Sequence, residues 1–265
     1  MGGYYFLPGP SWLPMMGAFG VFGLISTLWM EFRWGGLSTI AVKMLWFVGM
    51  VVAILSWSRV ILVENVLLMC GKANRRILVL GFLLFLVGES GLFLSLFISL
   101  FYAAIQPMAD LGSLWPPGGC DSLNPILTPF TNTLLLLGSG AAVTWGHKMY
   151  MGIRYSRLAF SMAALIGMLF LLGQAWEYYW STFSFRSGTY GSTFFLATGC
   201  HGCHVTGGAL FLVVASLNVS EKYFEAWPPI TGHPLRLEAM IWYWHLVDAL
   251  WLGLWMLFYH WMDFH

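Results

Sequence analysis

Apolar side chains run through this chain in seven long stretches, separated by short polar segments. They fall at about Trp12–Met30, Leu37–Ser56, Ile77–Ile105, Thr131–His147, Leu158–Trp180, Gly191–Leu217 and Ala239–Trp261. A helix needs about 20 mostly apolar residues to cross a hydrocarbon layer about 30 Å thick, so each stretch predicts a transmembrane helix. The first is broken by Gly17, Gly20 and Gly23. The segment Pro107–Pro129 is rich in proline and glycine and predicts a loop. No internal repeat is visible, which counts against a transporter built from paired repeats. The pattern predicts one all-helical, polytopic membrane domain over residues 1–265, with helices 1–2 at about 12–56 and helices 3–7 at about 77–261.

Composition agrees on the solvent. Of the 265 residues, 59% are hydrophobic and 9% charged, against about 25% charged in soluble domains. Fifteen tryptophans and eleven tyrosines suit interfacial aromatic belts. The 12 basic and 11 acidic residues form no basic patch for nucleic acid. Met1–Pro14 has no basic stretch and carries three prolines, so no cleaved leader is expected. The basic residues also orient the chain. Arg59, Lys72, Arg75, Arg76, Lys148, Arg154, Arg157, Lys222 and Arg236 fall on the side of the N-terminus, and Arg33, Lys43 and Arg186 on the other. Nine against three places the N-terminus inside and the C-terminus outside. Seven-helix receptors have the opposite orientation. The sequon Asn218-Val219-Ser220 then lies inside, where it reads as chance.

Chemistry enters through the few polar residues inside the apolar stretches. Glu89 lies 12 residues past Ile77, roughly 18 Å along a helix and so near mid-bilayer. Intramembrane carboxyls are costly and skew functional. One reading is a neutral Glu89 giving one interhelical hydrogen bond; the other is a site for a proton, a lipid headgroup or a partner subunit. On the same helix Gly81, Gly88, Gly91, Ser95, Ser99 and Tyr102 make a stripe of small and polar residues that is expected to face other helices. Gln174, Glu177 and Tyr178 share a face of the fifth helix. His201 and His204 on the sixth, and His245 and Asp248 on the seventh, stand three apart. A metal set is conceivable, but the spacing differs from the i, i+4 zinc-helix motif, and a satisfied polar network across helices 5, 6 and 7 accounts for the same residues. Cys200-His201-Gly202-Cys203-His204 fits the C-x-x-C-H pattern of covalent haem attachment. It sits in an apolar segment with no soluble domain around it, where Cys200 and Cys203 also read as small packing residues.

Several segments together resemble the cytochrome c oxidase subunit III family. Tyr190–Gly199, followed by His201-Gly202 and His204-Val205, is similar to its YGSTFF-x-ATG-x-HG-x-HV signature. Gln174-Ala175-x-Glu177-Tyr178 resembles its QA-x-EY motif, and Tyr243-Trp244-His245-x-Val247-Asp248-x-x-Trp251 its YWH-x-VD-x-x-W motif. Trp115-Pro116-Pro117, Leu123-Asn124-Pro125 and Asn132-Thr133 resemble its loop between helices 3 and 4, and Glu89 stands at its buried glutamate. The resemblance covers almost the whole chain, most firmly Ile77 to Trp261. The family usually has apolar residues in place of Cys200 and Cys203, and its WWRD-x-x-RE pattern is degraded here by Ser58, Val60 and Val63.

The resemblance implies seven helices, with helices 1–2 splayed from 3–7 by a V-shaped cleft filled with phospholipid. It implies a non-redox subunit with no catalytic residue and no cofactor of its own, the haems and coppers lying in partner subunits. Subunit I would be its main contact, with subunit II and accessory subunits in the complex. That complex oxidises cytochrome c, reduces oxygen to water and pumps protons, with subunit III supporting proton uptake and oxygen access. Glu89, Trp57 and Arg59 are expected to meet lipid headgroups, and Gln174, Glu177, Tyr178, His201, His204, His245 and Asp248 to form the structural polar network. The mitochondrial inner membrane is the expected location, with a bacterial plasma membrane as the alternative. The competing readings are a quinol oxidase subunit III, a haem- or metal-binding redox protein using Cys200–His204, and a transporter with Glu89 as proton carrier.

Overall fold

The computed structural model describes residues 11–34, 38–66, 72–107, 115, 124–149, 153–218 and 235–261. Seven helices occur among them: α1 (Leu13–Trp34), α2 (Ser38–Val66), α3 (Lys72–Ile105), α4 (Thr128–Lys148), α5 (Ile153–Trp180), α6 (Gly188–Asn218) and α7 (Leu235–Leu254). The last continues as a π-helical turn, Trp255–His260. Each helix overlaps one predicted stretch. Four are apolar and long enough to cross a bilayer: Arg76–Ile105, Tyr155–Trp180, Gly188–Leu217 and Leu237–His260. Two shorter apolar segments, Leu13–Thr27 and Ile40–Ala53, lie in α1 and α2. α4 is diluted by Asn132, Thr133, Ser139 and Thr144, of which the three hydroxyl residues donate to carbonyls of their own helix.

The chain divides into two compact units, Met1–Leu80 and Gly81–His265. In the first, α1 and α2 pair as a hairpin. Gly17, Gly20 and Gly23, expected to break α1, leave it continuous, and the latter two serve its packing. A Cβ at Gly23 would overlap the Trp46 ring, and one at Gly20 would come 3.1 Å from Met50 Cβ. Two glycines one turn apart thus seat one large and one medium side chain of α2 against the α1 backbone.

In the second unit α4 packs on α5, α5 on α6, α6 on α7, and α7 returns to α4. The remainder of α3 reaches this bundle through longer side chains: Phe82 meets Trp242, Phe85 meets Tyr243, and Phe93 meets His201 and His204. Gly188, with φ of 70°, opens α6 in a left-handed conformation that suits glycine. The core is aromatic: Trp244, Trp251, Tyr190, Tyr259, Phe93, Phe160, Phe170, Phe194 and Phe258 are all fully buried. The outer faces are equally apolar, with Leu165, Leu172, Leu210 and Val87 more than half exposed. An apolar exterior on that scale needs a lipid or protein covering.

The stripe on α3 corrects the sequence expectation. Within the second unit, Gly81, Gly88, Gly91, Ser95, Ser99 and Tyr102 are exposed rather than packed, and a methyl group on any of the three glycines would touch nothing within 4 Å among the described residues. The packed face is set by bulk instead, through Phe82, Leu86, Phe93 and Leu100.

Candidate functional site

Two bulky aromatics one turn below and above Glu89, Phe85 and Phe93, turn that side of α3 toward α6 and α7. Glu89 therefore meets His204 of α6, with Oε2 and Nε2 2.7 Å apart. The other ring nitrogen, Nδ1, lies 2.7 Å from the Cys200 carbonyl of the preceding turn. A carbonyl only accepts, so Nδ1 carries a proton and donates it. The Glu89–His204 contact then holds one further proton, on the acid or on the imidazole. Either way the pair is neutral as a whole, which suits its depth in an apolar helix pair. Phe93 stands edge-on to the imidazole at 5.3 Å, and Tyr243 lies nearly parallel to it at 6.3 Å. The side chains keep some exposure, 15% for His204 and 22% for Glu89.

The other predicted polar residues form separate pairs rather than one network. Tyr259 of the π-turn donates to Glu177 Oε1 at 2.5 Å, and Gln174 borders that pair without an aligned bond. The Thr198 hydroxyl donates to the Phe194 carbonyl, so the Tyr178 hydroxyl donates to Thr198 Oγ1, at 2.6 Å. His201, fully buried, donates from Nε2 to the Val247 carbonyl at 3.1 Å. His245 donates from Nε2 to Thr144 Oγ1 at 3.4 Å. Asp248 lies against the α4 backbone, its Oδ2 2.7 Å from where a Cβ of Gly140 would stand. Trp57 and Arg59 fall on α2, with side chains outside the described residues.

Sequence reasoning missed the seam between α4 and α7. Thr133, Ser139 and Thr144 each donate a hydroxyl proton to a carbonyl of their own helix. Each then accepts an N–H from α7, given by Trp251, Trp244 and His245 respectively. Trp244 also lies on two glycines, since a Cβ at Gly167 of α5 or Gly208 of α6 would come within 2.6 and 2.7 Å of its ring. One side chain thereby touches α4, α5 and α6 from α7. The available signal was tryptophan at 244 and 251, two turns apart, opposite hydroxyls on an antiparallel helix.

The geometry also bears on the haem and metal readings. Cys200 and Cys203 are free thiols, Cys200 Sγ lying 3.9 Å from His204 Nδ1. Both nitrogens of His204 are engaged, Nδ1 at the Cys200 carbonyl and Nε2 at Glu89. Among the described residues no three His, Cys, Asp or Glu side chains converge as a metal set.

Comparison with known proteins extends over the whole chain. Residues 3–263 match the family model described as cytochrome c oxidase subunit III. A protein named cytochrome c oxidase subunit 3 from Struthio camelus is 36% identical over 262 residues, 97% of each chain. One from Mus musculus is 34% identical over 264 residues, again 97% of each. One from Arabidopsis thaliana is 40% identical over 183 residues, 68% of this chain and 67% of its own. On that coverage, and with the motif-bearing helices in the order the resemblance required, the chain belongs to the cytochrome c oxidase subunit III family.

Proposed function

We propose that this chain is the non-redox subunit III of a cytochrome c oxidase, in a complex that oxidises cytochrome c, reduces oxygen to water and pumps protons. The match to subunit III over nearly its full length is the observation that carries this reading. In it the chain crosses the membrane seven times, N-terminus inside, and packs mainly on subunit I, with subunit II and accessory subunits in the complex. The haems and coppers stay in the partner subunits. The compartment is the mitochondrial inner membrane, with a bacterial plasma membrane as the alternative.

This chain's own part is to hold phospholipid, support proton uptake and ease oxygen access. The part-exposed Glu89–His204 pair favours the lipid role: an ammonium headgroup has a carboxyl oxygen to bind at Glu89. Trp57 and Arg59 on α2 are the second expected headgroup contacts, the tryptophan at the interface and the arginine on phosphate.

Purification through a tag on this chain in mild detergent tests the assignment. The expected preparation carries haem and copper absorbance and oxidises reduced cytochrome c. Quinol oxidation without cytochrome c oxidation would move the chain to a quinol-type oxidase, and recovery of the chain without a haem protein would end the proposal. Glu89→Gln in the intact complex is expected to lower bound phospholipid or shorten the turnover lifetime. An unchanged lipid complement with an unchanged lifetime would remove Glu89 from the lipid role.

A further inference from the structure

Four helices bring buried polar side chains to one level around Trp251. Its indole donates to Thr133 of α4, the neighbour of Asn132. Its ring stands 5.2 Å from His201 of α6 and 6.1 Å from Tyr259 of α7. Asn132 lies so close to Gly173 of α5 that a Cβ there would overlap its side-chain oxygen. Gln174 follows in sequence, and Glu177, bonded to Tyr259, stands one turn on. Asn132, Gln174, Glu177 and His201 are 1, 4, 5 and 0% exposed.

Five of their polar atoms have no well-aligned hydrogen-bond partner among the described residues: Asn132 Nδ2, Gln174 Nε2 and Oε1, Glu177 Oε2 and His201 Nδ1, with the Gln174 amide in reach of Glu177 and Tyr259 but misaligned to both. Leaving such an atom unpaired costs about 1–3 kcal/mol, so the layer calls for a ligand. The donor set identifies it. The two amide nitrogens only donate. Gln174 Oε1 accepts, and so does His201 Nδ1, because Nε2–H is already given to Val247. Glu177 Oε2 accepts when ionised and donates when protonated. A metal cation would satisfy only the acceptors and an anion only the donors. Water serves both, and serves Glu177 in either state.

We propose that internal water molecules bind in this layer and bridge Asn132, Gln174, Glu177 and His201, making the centre of the α4–α7 bundle a hydrated site within the membrane. The test is an electron-microscopy map of the intact purified complex at a resolution that shows ordered water. At least one solvent peak is expected within about 3.2 Å of Glu177 Oε2 and of the Gln174 or Asn132 amide. A map in which these side chains bond one another directly, with no peak among them, would overturn the proposal. Gln174→Met keeps the bulk and removes both amide atoms. Its map should lose the peak beside residue 174 and keep the Tyr259–Glu177 bond, whereas an undiminished peak there would also overturn it. If this variant fails to assemble, the map of the native complex decides alone, on the presence or absence of that solvent peak.

Discussion

A half-buried acid is held here by a hydrogen bond to one imidazole. Glu89 and His204 are 2.7 Å apart, with the second imidazole nitrogen tied to its own helix. Their coupling should resemble other hydrogen bonds in bilayers, about 1 kcal/mol. A double-mutant cycle of Glu89→Gln and His204→Phe on thermal dissociation of the complex measures it. Additive effects would mean that the contact contributes nothing. Ser139 makes a sharper case because Trp244 is fully buried. Ser139→Ala strands the indole N–H and should cost about 1–3 kcal/mol by the same measurement. Sequence spacing placed Glu89 at mid-helix but not its partner: the two lie 115 residues apart, and no periodicity on either helix encodes the other's rotation. His204 was therefore grouped with helices 5 to 7, when its partner belongs to α3.

At the scale of helices, glycine gives opposite results in different places. A Cβ at Gly208 would come within 2.7 Å of the Trp244 ring, and one at Gly91 would meet nothing. Gly208→Ala should therefore destabilise the bundle by roughly 1–3 kcal/mol through overpacking. Gly91→Ala should be neutral or stabilising by about 0.5–1 kcal/mol, from helix propensity. Resistance to thermal dissociation compares the two, and equal effects would deny that Gly208 is a seat for tryptophan. The same contrast explains where sequence reading of these elements succeeded and failed. The seven helices of the described residues were legible, the four longest apolar spans because hydropathy over 20 residues is a strong local signal. The facing of α3 was not, since small residues suit both a tight helix contact and a bare surface. Only the bulk of Phe82, Leu86 and Phe93 opposite settles which occurs. Gly20 and Gly23 look like helix breaks for the same reason: a glycine is alike in sequence whether it loosens a helix or, as Gly23 does, admits Trp46.

On the scale of the molecule, both the centre and the outside are apolar, and the exposed leucines require lipid or protein around them. Leu172, 66% exposed, stands well inside α5. Leu172→Arg should raise the cost of inserting that helix by about 3 kcal/mol, read as the membrane-inserted fraction in a translocation assay. An unaffected fraction would place residue 172 away from hydrocarbon. The excess of lysine and arginine on one side predicts that an impermeant reagent reaches a C-terminal tag from outside and leaves an N-terminal tag unmodified. The reverse labelling would invert the topology. The tryptophans of α7 carry a consequence for biogenesis. Ribosomes deliver helices in order, and the side chain that joins α4, α5 and α6 arrives on the seventh. Until Trp244 emerges, the three earlier helices have no shared keystone. A nascent chain halted just before residue 244 should hold them loosely in the bilayer, open to quality-control proteases, and a few more residues of synthesis should close the bundle.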